Sequence, residues 1–213
     1  MPRRTTTEGN GSEPSATLRS EHVEATRRAV LDAARAAFGG KGYAQTSVDE
    51  IAAAARVTKG AVYHHFAGKK MLFRAVFAEV EAEADARASG AGDPEAAPID
   101  QIVARINAYL DAALDEEIRR IVLIDGPAVL GHEPDGPADQ QPGHVDLRSF
   151  VTTSIAHGQI LDLDPGLLAH LIRDLAYLGG LLITGAGDPA TTRAELGKAI
   201  EAMLRGLAPG EKR

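Results

Sequence analysis

The sequence predicts an all-α protein in two parts, a small N-terminal three-helix domain and a larger helical C-terminal domain. Three observations carry this prediction. From Glu21 onward, apolar residues recur at three- and four-residue spacing, the period of a helix with one buried face. Residues 46–66 hold two short segments of this kind that meet at a tight turn. Charge is segregated: residues 1–74 carry 12 Lys/Arg against 7 Asp/Glu, a net of +5, whereas residues 75–213 carry 11 against 23, a net of −12, together the overall −7. One end suits phosphates and the other repels them.

Residues 1–20 are rich in Thr, Ser, Gly, Glu and Pro and are expected to form a disordered arm. Arg3, Arg4 and Arg19 have the reach to enter a minor groove from it, but a plain solvated tail, or a remnant of gene-start choice, is the favoured reading. A first helix is expected from Glu21, with Val23, Val30, Ala33, Ala34, Ala37 and Phe38 on one stripe. Gly39-Gly40-Lys41-Gly42 should end it, and Tyr43 should pack back as a wedge. A second helix starts at Thr46-Ser47, where Thr46 with Asp49, or Ser47 with Glu50, makes a capping box. Val48, Ile51, Ala52 and Ala55 form its buried face, Arg56-Val57 the turn, and Thr58 the cap of a third helix.

In that third helix Val62 and Phe66 face inward, which leaves Lys59, Gly60, Ala61, Tyr63 and His64 on or near the surface. A glycine inside a short helix costs about 1 kcal/mol relative to alanine. The cost makes sense where another surface comes very close. Two short helices joined in this way set one across a DNA backbone and the next in the major groove. Lys59 can reach base edges or backbone, and Tyr63 and His64 can donate to phosphate oxygens. Lys69 and Lys70 open a fourth helix against its macrodipole, at roughly 0.3–1 kcal/mol each. An approaching phosphate reverses that penalty, so Lys69 reads as a backbone clamp and Lys70 as its assistant.

Residues 21–77 resemble the DNA-binding domain of the TetR family of bacterial transcription regulators. The resemblance rests on Phe38, Gly42-Tyr43, Thr46, Ile51-Ala52, Ala55, Val57, Gly60, Tyr63, His65-Phe66, Lys69 and Leu72. It implies that Lys59, Gly60, Ala61, Tyr63 and His64 occupy recognition-helix contact positions, that Thr46 and Lys69 lie against phosphates, and that His65 supports them. With the Thr58 cap, these eight residues (Thr46, Thr58, Lys59, Gly60, Ala61, Tyr63, His64, Lys69) are the expected DNA-binding set. Three positions depart from the family pattern. Arg56 stands where glycine is usual, implying local strain or an extra phosphate contact. Ala61 replaces a common threonine, and Lys70 a frequent acidic residue.

The acidic part begins with a connector helix over residues 71–87, ended by Ser89 to Pro94. Helical spacing resumes with Ile99, Ile102, Val103, Ile106, Leu110 and Leu114, then from Ile118 to Ile124, where Asp125-Gly126-Pro127 should stop it. Gly131 to Gly143 is expected to be a mobile loop. Further helices are expected over Val145–His157, Pro165–Thr184 and Pro189–Leu207. The domains are then 21–70, for DNA binding, and 71–213, for effector binding and dimerisation.

Leu167, Leu168, Leu171, Ile172, Leu175, Leu178, Leu181 and Leu182 make the penultimate helix apolar all round, and such a helix must be buried. Gly179-Gly180 and Gly185 would permit close helix approach or, equally, mark a kink. Leu196, Ile200, Met203, Leu204 and Leu207 stripe the last helix. The resemblance implies that these two helices pair with a second copy in a four-helix bundle, a homodimer reading a pseudo-palindromic operator. It also implies a small-molecule pocket in the acidic domain. Tyr109, Arg120, Asp125, His157, Asp174 and Tyr177 are polar residues set in apolar helices and are the candidates to orient an unknown effector. Ordinary salt bridges or interface hydrogen bonds are the competing reading of each. Aromatic content of 4% argues mildly against large flat cationic ligands.

Other classes are poorly served. Cysteine is absent, which removes disulfides, thiolate metal sites and Cys nucleophiles together. No run approaches the roughly 20 uninterrupted apolar residues of a membrane span, and no apolar signal region opens the chain, so a cytoplasmic protein is expected. There is no Glu-x-x-His pair, nucleophile elbow, phosphate loop or dinucleotide fingerprint, so neither metal, cofactor nor catalysis is expected. The expectation is a ligand-responsive DNA-binding regulator, a repressor released by its effector. A DNA-binding architectural protein without an effector is the alternative, and a helical-bundle enzyme ranks third.

Overall fold

The computed structural model describes residues 13–131 and 142–209, and every described element is helical. Helix α1, Glu13–Gln45, starts ahead of the expected Glu21, so residues 13–20 are helix rather than arm. Residues 1–12, with Arg3 and Arg4, lie outside the described residues, as does most of the stretch expected to be a loop, 132–141. Val30, Leu31, Ala34 and Phe38 are the buried side of α1. Val23, expected in this stripe, is exposed, as are its neighbours over residues 20–25. The helix also runs through Gly39-Gly40-Lys41 and breaks only at Gly42, whose φ of 81° and ψ of 166° suit glycine.

Ser47 rather than Thr46 caps α2, Val48–Ala54: its hydroxyl accepts from the Glu50 N–H at 3.2 Å while Glu50 accepts from the Ser47 N–H at 3.0 Å. Thr46 is buried and spends its hydroxyl on the carbonyl of Gly42 at 2.8 Å, tying down the end of α1. Arg56 makes the turn with φ of 56°, alone among described non-glycine residues in the left-handed region. Helix α3, Lys59–His65, is capped by Thr58, whose hydroxyl accepts from the Ala61 N–H at 3.2 Å.

Helix α4, Lys69–Ser89, serves both halves: Leu72, Phe73 and Val76 pack at the α1 end, Val80 and Ala84 further on. Helix α5, Pro98–Ala112, lies against α4, α8, α9 and α10. After the short α6, Glu116–Ile118, residues Arg119–Asp125 wind as a π-helix and Gly126–Leu130 form α7. Asp125-Gly126-Pro127 therefore redirects the chain instead of stopping it. Pro127 falls in the first turn of α7, where no backbone N–H is needed.

Helices α8, Pro142–Ala156, α9, Pro165–Gly185, and α10, Pro189–Arg205, complete the larger domain. Gly179 and Gly180 do let α9 come close: a Cβ on Gly179 would stand 2.8 Å from Leu110 Cδ2, and one on Gly180 3.3 Å from Leu123. Gly185 has open space around it within this chain and stands at the end of the helix. Leu168, Ala169, Ile172, Ala176 and Ile183 face inward, whereas Leu167, Leu171, Leu178 and Leu182 share the opposite face, each more than half exposed. Helix α9 is long and apolar enough by composition to cross a membrane. Arg173 and Asp174 at its middle make lipid a costly environment.

Arg56 holds a conformation that costs an L-residue about 1 kcal/mol. Arg56→Gly is expected to raise stability by up to about 1 kcal/mol, less the glycine's own entropic cost. Urea unfolding followed by circular dichroism reads it as a higher midpoint at unchanged slope.

Candidate nucleic-acid interface

The outward face of α3 is built from below. Val62 and Phe66 are sunk into the core made by Val30, Ala34, Phe38, Ile51 and Leu72, fixing the helix's rotation. Lys59, Gly60, Tyr63 and His64 are then exposed and Ala61 half-buried, on one continuous surface. Among the described residues, a Cβ built on Gly60 would meet within 4 Å, apart from its own helix backbone, only the Thr58 hydroxyl, at 3.8 Å. Packing within the molecule thus gives no reason for glycine here. Thr58 accepts a capping bond, and its own proton remains available to donate outward.

The charges near this face are held in two ways. Lys59 Nζ lies 2.9 Å from Asp49 Oδ2 on α2, and that hydrogen bond, then the charge behind it, raises the lysine above its ordinary pKa. Lys41 Nζ lies 2.7 Å from Glu50, and its hydrogen bond, with those from Ser47, lowers the Glu50 carboxyl to about 2. Lys69 Nζ instead stands over the ring of Tyr43, 4.1 Å from the centroid. That ring packs on Phe38 at 5.8 Å and edge-on to Phe73 at 5.1 Å, the wedge role expected of it.

Seven of the eight expected DNA-facing residues lie at least partly at the surface of this one end of the molecule. Thr46 does not, and its assignment against phosphate is corrected: both oxygen and proton of its hydroxyl face the chain interior. Asp49 was missed, because the ten-residue separation of the Asp49–Lys59 pair matches no helical spacing. Beside this face, an open groove of about 550 Å³ runs between α1 and α2, lined mainly by alanines such as Ala33, Ala37 and Ala54. It contains none of the α3 residues.

The six candidate effector residues separate into three places. Arg120 and Asp125 lie at the joint between the domains, where Asp125 Oδ2 accepts from the Tyr43 N–H at 2.7 Å and Arg120 pairs with Glu116. His157 is exposed after α8, and Asp174 is exposed on α9 beside His170 and Arg173. His157 and Asp174 therefore line no interior, whereas Arg120 and Asp125 are half-buried at the joint. Only Tyr109, on α5, and Tyr177, on α9, turn toward a common interior. Burial, then Asp85 and Glu81, pushes the Tyr109 hydroxyl well above its ordinary pKa, and burial and Glu81 do the same to Tyr177. Asp85 is itself raised by burial, against the pull of Arg173. Asp85 and Glu81 sit on the connector helix α4 and are not among the six candidates. Among the described residues no three His, Asp or Glu side chains converge as a metal site.

The joint has further ties. Arg35 of α1 donates to Glu83 of α4 at 2.6 and 2.8 Å and to Glu117 of α6 at 2.7 and 3.0 Å, and these bonds raise its pKa. Arg28 reaches Glu79 at 2.9 Å.

A capped turn between two short helices, an outward helix with a bare glycine, and a second helical domain together define a helix-turn-helix DNA-binding protein. Comparison with known proteins makes the class specific. The family model described as "Bacterial regulatory proteins, tetR family" matches residues 30–76, and "Tetracyclin repressor-like, C-terminal domain" matches residues 99–207. A TetR-family transcriptional regulator from Pectobacterium atrosepticum, solved by crystallography, superposes with a TM-score of 0.78 at 36% identity, over 91% of this chain and 98% of that one. The HTH-type transcriptional regulator TtgR of Pseudomonas putida is 35% identical over 174 residues, 76% of this chain and 80% of that protein. The A-factor receptor protein of Streptomyces griseus is 43% identical over 54 residues, but these span only 25% of this chain and 20% of that protein. The chain belongs to the TetR family, a family of ligand-responsive, DNA-binding transcription regulators rather than enzymes.

Proposed function

We propose that this chain is a homodimeric cytoplasmic repressor that holds a pseudo-palindromic operator through α3 and lets go when a small molecule enters its larger domain. The observation that carries the reading is the open face of α3: an exposed Tyr63, a paired but exposed Lys59, and a glycine that no contact within the chain demands. In this reading Lys59 reads base edges, Tyr63 and His64 donate to phosphates, Gly60 and Ala61 admit the groove floor, Thr58 donates to the backbone, and Lys69 clamps it.

Two-fold pairing is supported by the leucines of α9. Leu167, Leu171, Leu178 and Leu182 recur at intervals of four and seven, a single apolar stripe left exposed among the described residues, as is Met203 on α10. A second copy covers such a stripe with an equal one, and pairing supplies the second half-site about one helical turn away.

Effector binding is supported by the interior between α4, α5 and α9, where Tyr109, Tyr177, Asp85 and Glu81 influence one another. On adjoining α8, the Ser154 hydroxyl is fully buried with no hydrogen-bond partner among the described residues, and a buried unmet hydroxyl invites a ligand. Helix α4 carries Glu81 and Asp85 at one end and Lys69 at the other, so a ligand that favours one tilt of α4 changes the spacing of the two α3 helices. Only differential affinity for the two states can drive this. The A-factor receptor, matched here in one segment, is by its name a receptor.

Selection of bound fragments from a random duplex pool, at low ionic strength, tests the DNA assignment. Tyr63→Phe and Lys69→Ala should weaken binding to every sequence, the lysine change also flattening the salt dependence, while Lys59→Ala should alter the selected sequence. Recovery of no enriched sequence by the native chain would overturn the reading.

Leu171→Glu with Leu178→Glu is expected to give monomers in sedimentation equilibrium with unchanged helical content and operator affinity reduced by orders of magnitude. Persistence of the dimer would place the interface elsewhere.

The absence of cysteine allows spin labels to be introduced singly on α2, at Ala53, without background. The distance between the two labels should differ between the DNA-bound and ligand-bound dimers. Identical distances would exclude the tilt of α4 as the means of release.

A further inference from the structure

We infer that Tyr43 and Asp125 are positioning residues for the phosphate clamp: the larger domain holds Lys69 ready for DNA through one aromatic ring. The inference deepens the DNA-binding reading above and rests on it.

Tyr43 is engaged from two sides. Its backbone N–H donates to Asp125 Oδ2 at 2.7 Å, across 82 positions of sequence and from one domain to the other. Its ring carries Lys69 Nζ at 4.1 Å from the centroid, within cation–π range. The ring is kept from swinging by Phe38 and Phe73. The backbone turn at Gly42, with φ of 81°, precedes the N–H that meets the carboxylate. The joint there is tight: a Cβ at this position would stand 3.2 Å from Asp125 Oδ2 and 3.3 Å from Arg120 Nη1.

The manner of holding matters. Lys41 and Lys59 are each held by a carboxylate, which must be displaced before a phosphate takes its place. Lys69 is held by a ring, which restricts its rotamers while leaving its full charge for phosphate. Part of the side-chain entropy that binding would cost is thus lost in advance. Asp125, in turn, is the last residue of the π-helical segment Arg119–Asp125. A π-turn holds an extra residue, so rewinding that segment as an α-helix would rotate the carboxylate by about 100° and take it off Tyr43. The clamp's readiness therefore follows the winding of a segment in the larger domain.

The test measures affinity of the full-length chain for a fluorescent duplex of random sequence, by anisotropy across a KCl series. Lys69→Ala should weaken binding roughly three- to tenfold and lower the log–log salt slope by about 0.9 for each phosphate no longer neutralised. Tyr43→Leu and Asp125→Ala should each reproduce part of both effects. Tyr43→Phe, which keeps the ring, and Asp125→Asn, which keeps an acceptor for the N–H, should restore both. In the Lys69→Ala background, Tyr43→Leu and Asp125→Ala should weaken binding no further. Multiplying effects in the double variants, or a native salt slope in Asp125→Ala, would overturn the relay, leaving these residues structural only. An unchanged affinity and slope in Lys69→Ala would overturn it differently, by removing the clamp itself. Should Tyr43→Leu fail to fold, the Asp125→Ala and Asp125→Asn pair alone decides between these results.

Discussion

A helix of seven residues has almost no stability of its own, since nucleation consumes what so few hydrogen bonds return. Everything in the N-terminal domain is arranged around that weakness in α3. Val62 and Phe66 insert into a core already formed by the long α1 and by α4, and the Thr58 cap meets a backbone N–H at the helix start. The Ser47–Glu50 box does the same for α2. Because stability is drawn from one face and one end, the other face is free to carry residues chosen for contact rather than folding. Gly60 is the clearest case: unfavourable in a helix and unneeded by any neighbour.

The second constraint lies where the two domains meet. Helix α1 breaks near its end at a glycine whose geometry suits no side-chain-bearing residue well, and groups that hold this part of α1 come from far along the chain: Asp125 on the Tyr43 N–H, Glu117 and Glu83 on Arg35. These are polar, partly exposed contacts. Each contributes little to stability singly, because water screens exposed pairs. Such a joint can change arrangement without unfolding either domain. The hydrophobic contacts of Leu72 and Phe73 on α4 hold the domains together meanwhile.

The sequence discloses the helical content, the motif over residues 46–66 and the outward set on α3 almost completely, because each follows from local spacing. Thr46 shows where that reasoning ends. A threonine beside a helix start has two uses, cap or surface contact, and the structure shows a third, a bond back to Gly42 that depends on the fold of the preceding turn. Asp125-Gly126-Pro127 is similarly ambiguous: a turn by composition, but a proline in a first helical turn once the π-segment is in place. The effector residues are least legible. Arg120, Asp125, His157 and Asp174 look as though embedded in apolar helices, yet helical position alone does not say which residues face a joint, solvent or an interior. Glu81 and Asp85 do not figure among the six candidates, yet burial raises the pKa of Asp85 beside Arg173 of α9. Long-range packing decides such cases, and no periodicity encodes it.

Charge segregation, finally, has a physical consequence that reaches beyond locating the interface. A molecule with one sign throughout would approach a duplex in any orientation. Here residues 75–213 carry a net of −12 and residues 1–74 a net of +5, so the field turns the molecule as it nears the phosphates. Several cations of the basic end are already matched: Arg28 with Asp32 and Glu79, Lys41 with Glu50, Lys59 with Asp49. Matched pairs attract weakly at a distance and exchange partners at contact. Lys69, held by a ring and bonded to no carboxylate among the described residues, keeps its charge unmatched. Long-range orientation thus comes from the difference between the two ends. On the proposed contact set commitment comes later, when Lys59 gives up Asp49 for a groove edge, an exchange that costs more at a poor sequence than at a good one because Asp49 is left without its partner beside a polyanion. In that proposal the acidic residue beside α3 works against indiscriminate binding.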